Sequence, residues 1–437
     1  MKSTNNTTKP FYNTTIPSDW TNPEFGSVFS FLKSFSFSRE QLTDEKTKDE
    51  IRNIHYGDIH ATYENEILDF EAEQRVPFLR DGFLDVKKFE EEELPALQDG
   101  DLIIADASED YEGVCNCIEL KNINGRKVVS GLHTFAARGN VDIIAVGFRT
   151  YALNNQQVVR ELRRIATGIS VYGVSKTNLS KVKLPLPPLP EQRTIAHVLG
   201  SMNSAINQNN QLIAQKELRK KWLMQNLLTG KKRMKGFGGE WKEYSYEKLL
   251  KVVIRDFDWD EDELYRLISV RRRSGGIFFR DALFGHQILV KTLRTANEGD
   301  FLFSKMQILH GASALVTKEF DGAKISGSYI AVVAKDKKQL NMEFFQWYSQ
   351  VPYFYHQTYI SSYGVHIEKM TFDFETFLQL EMKLPTNEEQ TAITQVLQTA
   401  DKEIQLLKAK TDKLREQKKG MMQVLLTGKV RIKNFNL

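Results

Sequence analysis

The chain has 437 residues, with 60 Lys+Arg against 56 Asp+Glu, a formal net charge of +4, 41% hydrophobic and 27% charged residues. The length suggests two to four domains, and the balance is that of a globular protein with a core, which excludes disordered and collagen-like classes. No stretch approaches 18 consecutive apolar residues and the polar start Met1–Thr15 lacks an apolar h-region, so neither a membrane span nor secretion is expected.

Taken in chain order, Pro17–Trp20 opens a first globular stretch. The Gly100-Asp101 turn leads into a strand over 102–105, and strand-like runs follow at Arg126–His133 and Asp142–Phe148. Cys115 and Cys117 are too close for an unstrained disulfide and too few for structural zinc, which points to a reducing, cytoplasmic location. Leu184–Pro190 is too proline-rich for a helix. A long helix is predicted from Glu191 to Gly230, with the glutamate at its positive end and Lys231, Lys232 and Arg233 past the terminating glycine. Gly238–Trp241 opens a second globular stretch. A Gly299-Asp300 turn leads into a strand, strand-like runs occupy Ala323–Tyr329 and Gly327–Val333, and Glu343–Tyr348 reads as helix. A second long helix follows from Glu389 to Gly428.

The two helical segments are copies. At a constant offset of 198, Leu186–Met234 matches the later segment at 18 of 49 positions, including Glu191-Gln192 on Glu389-Gln390 and Leu227–Lys231 on Leu425–Lys429. The duplication continues weakly upstream, where Gly100-Asp101 faces Gly299-Asp300. Apolar positions step by four and three along each helix: Ile195, Leu199, Met202, Ile206, Ile213, Leu223 and Leu227, then Ile393, Leu397, Ile404, Leu407, Leu414, Met421 and Leu425. That is coiled-coil spacing. A single helix packed on its own domain shows similar spacing; two matching copies favour seams buried on one another. Helices of about 38 residues would be about 57 Å long. Closure of a duplicated chain with pseudo-twofold symmetry makes the pair antiparallel. The expected class is α+β: two mixed α/β domains (1–183 and 235–382) alternating with helical segments (184–234 and 383–437).

The helical segments carry +6 and +5 of the +4 total, leaving −7 on the globular stretches, so any contact of those stretches with a polyanion would have to come from local clusters. Arg271, Arg272, Arg273 and Arg280 flank a Ser-Gly-Gly turn able to approach a groove, where arginine clamps guanine O6/N7 or phosphate. Arg160, Arg163 and Arg164 sit on a helical run suited to phosphate. The loops Asp106–Tyr111 and Lys305–His310 hold equivalent places with different chemistry, as do Ser130 with His133 and Ser328 with Tyr329. Solvated arginines, a structural histidine and ordinary loop variability are the competing readings. The acidic runs Glu90–Glu93 and Asp256–Glu263 read as solvated faces, and the second fits no calcium loop.

Catalytic motifs are matched only in part. Asn22-Pro-Glu-Phe25 lacks the second proline of an amino-methyltransferase loop. Gly230-Lys231 and Gly428-Lys429 lack the upstream glycine and following hydroxyl of a phosphate-binding loop. Neither a metal-ligand set nor a nucleophile–base grouping stands out, and the chain is expected to be non-catalytic.

The lead-in Pro185–Gln192, the Glu389-Gln390 pair, both Leu-Leu-Thr-Gly-Lys exits, Tyr56–Ile59 and Phe237–Trp241 together resemble the specificity subunit of type I restriction–modification systems, over essentially the whole length. The second lead-in, Leu384–Gln390, departs from the pattern in lacking Pro-Pro. The resemblance implies two target-recognition domains, each reading one half of a bipartite duplex, on an antiparallel helical ruler. It further implies recruitment of two methyltransferase subunits and, through them, restriction subunits, with S-adenosylmethionine, ATP and magnesium on those partners and no cofactor on this chain. A ruler of that length bounds the half-site spacing at about 16 base pairs. The competing class is a protein-binding scaffold that duplicates its domains on a coiled coil.

Overall fold

The computed structural model describes residues 7–85, 87, 96–367 and 370–432. The acidic run Glu90–Glu93 lies outside the described residues. The chain forms two compact units: Met1–Asn210 with Lys410–Leu437, and Gln211–Ala409. Each long helix therefore gives its N-terminal half to one unit and its C-terminal half to the other.

In the first unit a five-stranded sheet runs in the order Phe29–Leu32, Thr134–Gly139, Leu102–Ala105, Cys117–Lys121, Ile67–Asp69. All pairings are antiparallel except the last. Leu102–Ala105 is buried along its whole length, which is why it reads as an unbroken apolar run. In the second unit Leu250–Val253, Tyr329–Ala334, Phe301–Ser304 and Ser313–Leu315 pair antiparallel in the same spatial sequence. The duplication visible in the helices is thus present in the sheets.

The shared Gly-Asp turns explain themselves in both units. Asp101 and Asp300 are fully buried, and each accepts the backbone N–H of the residue three places before it, Gln98 or Asn297, at 2.8 Å. Each carboxylate is neutralised by an arginine of the same unit: Arg138 on Asp101 and Arg255 on Asp300. A buried carboxylate without such a partner would be costly.

A second, four-stranded sheet accompanies each main one. It is Val128–Ser130, Arg52–Ile54, Phe78–Leu79, Leu42–Thr43 in the first unit, and Ile277–Phe284, Leu264–Val270, Ala323–Ser326, Leu293–Ala296 in the second. The run Asp142–Phe148, expected as a strand, is a series of turns ending in the helix Arg149–Leu153. Gln192 is the reason: its side chain accepts from Ala145 N at 2.8 Å and donates to Ile143 O at 3.0 Å, so backbone groups a strand would pair are taken up instead.

The long helices span Leu189–Leu227 and Asn387–Leu425, 39 residues each and about 58 Å long. Each begins two residues before its expected start. Pro190 fits there because the first turn has no use for its missing N–H. In the first unit, Glu191 meets Arg431, Asn203 lies beside Lys418 through Glu66, and Asn210 accepts from Arg415 at 3.2 Å. In the second, Glu389 meets Arg233, Asp401 meets Lys220, Glu403 meets Lys216 and Lys408 meets Glu217. One helix number rises as the other falls, so the halves paired in each unit are antiparallel.

Ile195, Leu199, Ile206, Leu227, Ile393, Leu397, Ile404 and Leu425 are buried; Met202, Ile213, Leu223, Leu407 and Leu414 are half-buried. Met421, placed on the seam by the spacing, is exposed, while Met422 packs against the first unit's core. A helix of 3.6 residues per turn drifts from a 3.5-residue seam, and by the last turn the adjacent residue faces inward. Among the described residues no helix is long and apolar enough to cross a membrane.

Candidate nucleic-acid interface

In the second unit, the hairpin Leu264–Val270 to Ile277–Phe284 projects the turn Arg271–Gly276, closed by Arg271 N donating to Gly276 O at 2.9 Å. Arg273 and Ser274 take left-handed backbone, φ +57° and +53°, which costs free energy for residues other than glycine and must be held by surroundings. Arg273 N donates to His310 O at 2.6 Å and Ser274 N to Gly311 O at 2.9 Å. The hydroxyls of Ser274 and Tyr355 share a hydrogen bond of 2.7 Å, and Arg272 Nε donates to Gln307 Oε1 at 2.6 Å. Arg271 covers the Phe278 ring at 4.6 Å. The arginine turn is therefore rigid and exposed, docked on the loop that follows Phe301–Ser304.

That loop begins with half-buried Lys305, whose N–H donates to Ser328 O at 2.9 Å. Exposed Ser328 shares a 2.5 Å hydrogen bond with Ser326 through their hydroxyls. Tyr329, by contrast, spends its hydroxyl accepting from Val270 N at 3.2 Å, a brace inside the unit. Arg280 is exposed on the strand Ile277–Phe284.

In the first unit, the residue in the place of Lys305 is Asp106, whose N–H donates to His133 O at 3.1 Å. The side chains of this pair also meet, His133 Nδ1 donating to Asp106 Oδ1 at 3.2 Å. His133 is more than half exposed and has φ +52°, again left-handed. The Tyr56 ring is edge-to-face with it at 5.4 Å, and the His60 ring is edge-to-face with the same tyrosine at 6.1 Å. His60 donates from Nε2 to Ala107 O at 3.2 Å and accepts from Asn116 at 3.3 Å, so its tautomer is set by the protein. Burial raises the Asp106 carboxyl, and the His133 imidazole offsets part of that rise. His55 is pushed down by burial and by the Arg39 charge.

Other sequence candidates fall elsewhere. Ser130 is fully buried, tied to Thr134 at 2.6 Å and Ser34 at 3.1 Å, and has no access to a groove. On the helix Gln156–Ile165, Arg164 grips Glu161 at 2.6 Å and Arg163 caps Glu112 O at 2.9 Å; Arg160 is exposed. The acidic run Asp256–Glu263 sends Glu261 to Lys291. Among the described residues no cluster of three or more His, Cys, Asp or Glu is arranged for a metal, and Cys115 and Cys117 are buried thiols pushed up to about 12 by desolvation.

Three features escaped the sequence reading. Tyr355 looks like one more core aromatic in a run of them, yet it braces the arginine turn. The Asp106–His133 contact joins residues 27 apart whose pairing no spacing rule announces. The Glu-Gln pairs were legible as a repeat and as a charge at a helix start, without their partners. Their work is now plain: Glu191 and Glu389 each hold an arginine past the other helix, and Gln192 and Gln390 each stitch a loop of their own unit, Gln390 accepting from Asn341 N at 2.9 Å and donating to Gln339 O at 2.8 Å.

A family profile described as type I restriction modification DNA specificity domain matches residues 115–218. The chain is 24% identical to the putative type I restriction enzyme MjaX specificity subunit of Methanocaldococcus jannaschii, over 96% of this chain and 95% of that one. It is 23% identical to the type I restriction enzyme MjaVIII specificity subunit of the same organism, over 63% of this chain and 68% of that one. Its fold is similar to the crystal structure of the type I restriction–modification system S subunit from M. genitalium, with a TM-score of 0.55 at 11% identity over 97% of this chain and 98% of that one.

Proposed function

We propose that this chain, which has the sequence family and fold of type I restriction–modification specificity subunits, reads a bipartite DNA duplex and performs no covalent step itself. The segments 1–183 and 235–382 are the two reading heads, one per half-site. The segments 184–234 and 383–437 are the ruler that sets the unread base pairs between them and the platform for methyltransferase subunits, through which restriction subunits join. S-adenosylmethionine, ATP and magnesium belong to those partners.

The observation that carries this reading is the pair of equivalent loops. Asp106 N to His133 O and Lys305 N to Ser328 O are the same backbone hydrogen bond on two copies of one sheet, yet the side chains presented differ in charge. Two heads of one fold that read different half-sites need that combination: a common scaffold and divergent contacts. The exposed arginine turn supplies guanine or phosphate contacts in the second head.

The test is fluorescence anisotropy of the chain with its methyltransferase partner against duplexes of randomised half-sites and spacers. One bipartite sequence should bind tightest, with affinity falling steeply as salt rises. Arg271→Ala should relax base choice in the second half-site alone. Equal binding to every duplex would reject DNA reading and leave the scaffold alternative.

A further inference from the structure

We infer that Asp106 and His133 are the base-reading pair of the first head and that they recognise an exocyclic amino group, N6 of adenine or N4 of cytosine, in the major groove. The inference rests on the DNA-reading function proposed above and assigns the chemistry of one of its contacts.

The Asp106 carboxylate faces Nδ1 of His133 at 3.2 Å. A carboxylate only accepts, so the neutral imidazole places its proton on Nδ1 and leaves Nε2 as a bare lone pair. The ring is exposed, and the Tyr56 edge at 5.4 Å limits its tilt. In that neutral form the ring presents an acceptor, and the second carboxylate oxygen of Asp106 presents another. In the major groove the donors available to two acceptors are the amino groups of adenine and cytosine; guanine O6/N7 and thymine O4 are acceptors and would be repelled.

Backbone strain points to the same residue. His133 sits at φ +52° although a glycine there would carry no strain, and strained residues of this kind gather where their side chain is used. The comparison within the molecule is the independent observation. At the same backbone positions the second head carries Lys305 and Ser328, beside the turn of Arg271–Arg273, all of which can donate. At the Asp106/Lys305 position the two heads are opposite in hydrogen-bond polarity, acceptor-only against donor-only, while His133 is matched by a serine hydroxyl that can do either.

The experiment uses the chain in complex with its methyltransferase partner. Its preferred duplex is first selected from a randomised library. Each adenine or cytosine of the first half-site is then replaced singly by purine or 2-pyrimidinone, which lack the amino group. One replacement should weaken binding by ~5- to 150-fold, the range for loss of a good base contact. His133→Gly, which relieves the strain, should bind the intact duplex as weakly as wild type binds that analogue, and should show no further loss on it. His133→Asn, which tolerates left-handed backbone and keeps an acceptor, should restore part of the difference. Discrimination in His133→Gly equal to wild type at every first half-site position would overturn the assignment while leaving DNA reading intact. Absence of any preferred duplex for wild type would instead defeat the underlying function.

Discussion

Arg431 holds Glu191 through two parallel contacts, Nε to Oε1 at 2.7 Å and Nη2 to Oε2 at 2.6 Å, while its Nη1 reaches Asp19 at 2.8 Å. Arg233 repeats the grip on Glu389, and its third bond goes to the backbone at Gly239 O instead of a carboxylate. Each arginine also covers a tryptophan, Trp20 at 5.6 Å or Trp241 at 5.8 Å. One motif thus joins three pieces of chain in each unit: the start of one helix, the exit of the other and the opening of the globular domain.

Removing Arg431 leaves Glu191 buried without its cation. Arg431→Ala is expected to destabilise the first unit by about 3–5 kcal/mol, the range for breaking a buried pair from one side. Arg233→Ala should cost less, because that arginine is a quarter exposed where Arg431 is nearly covered. Urea unfolding of the two variants checks the order. Adding Glu191→Leu to Arg431→Met should recover most of the loss; no recovery would mean the ion pair is not what matters there.

The two exit glycines differ in their surroundings. Both have φ +69°, but a Cβ on Gly428 would sit 2.4 Å from Pro17, whereas on Gly230 the nearest atoms are Trp241 ring carbons at 3.3 Å. Gly428→Ala should therefore lower the thermal midpoint clearly more than Gly230→Ala. Equal shifts would show that backbone strain alone sets the cost.

Glu119 is almost fully buried, accepts from Gly147 N and Thr150 N, and is pushed up to about 7 by desolvation. Its unfolded value is about 4.3. Between those values the folded chain holds a proton that the unfolded chain has released, so its contribution is fully present below the lower value and is lost as pH rises through the upper one. The thermal midpoint of wild type should fall relative to Glu119→Gln between pH 5 and pH 8. A constant difference across that window contradicts the assignment.

Tyr355→Phe removes one hydroxyl from the brace under the arginine turn. The stability cost should be about 1 kcal/mol, that of one hydrogen bond. Base choice in the second half-site should nevertheless relax, read by library selection on the assembled complex. Unchanged selection with a measurable stability loss would reduce Tyr355 to a packing residue.

The long-range plan was legible because a duplication advertises itself: Glu191-Gln192 and the Leu-Leu-Thr-Gly-Lys exits recur at one offset, and Ile195 and Leu199 keep helical spacing. What escaped were residues whose environment comes from elsewhere in the chain. Asp142–Phe148 has strand composition, but Gln192, 47 and 49 residues beyond Ala145 and Ile143, takes their backbone groups. The second sheet of the first unit holds two- and three-residue strands such as Phe78–Leu79, too short for alternation to show. Ser130 and His133 look alike as polar residues of one strand-like run, yet one is sealed in the core and the other faces solvent.

The second unit is a single uninterrupted stretch, Gln211–Ala409, while the first needs both Met1–Asn210 and Lys410–Leu437. Synthesis from the N-terminus at roughly 5–20 residues per second therefore finishes the later unit first. The earlier one must wait, its apolar helix face bare, for the closing strand of sequence that brings Lys418, Leu425 and Arg431. A stop codon just after Ala409 would strike the domain made at the beginning of translation and spare the one made last.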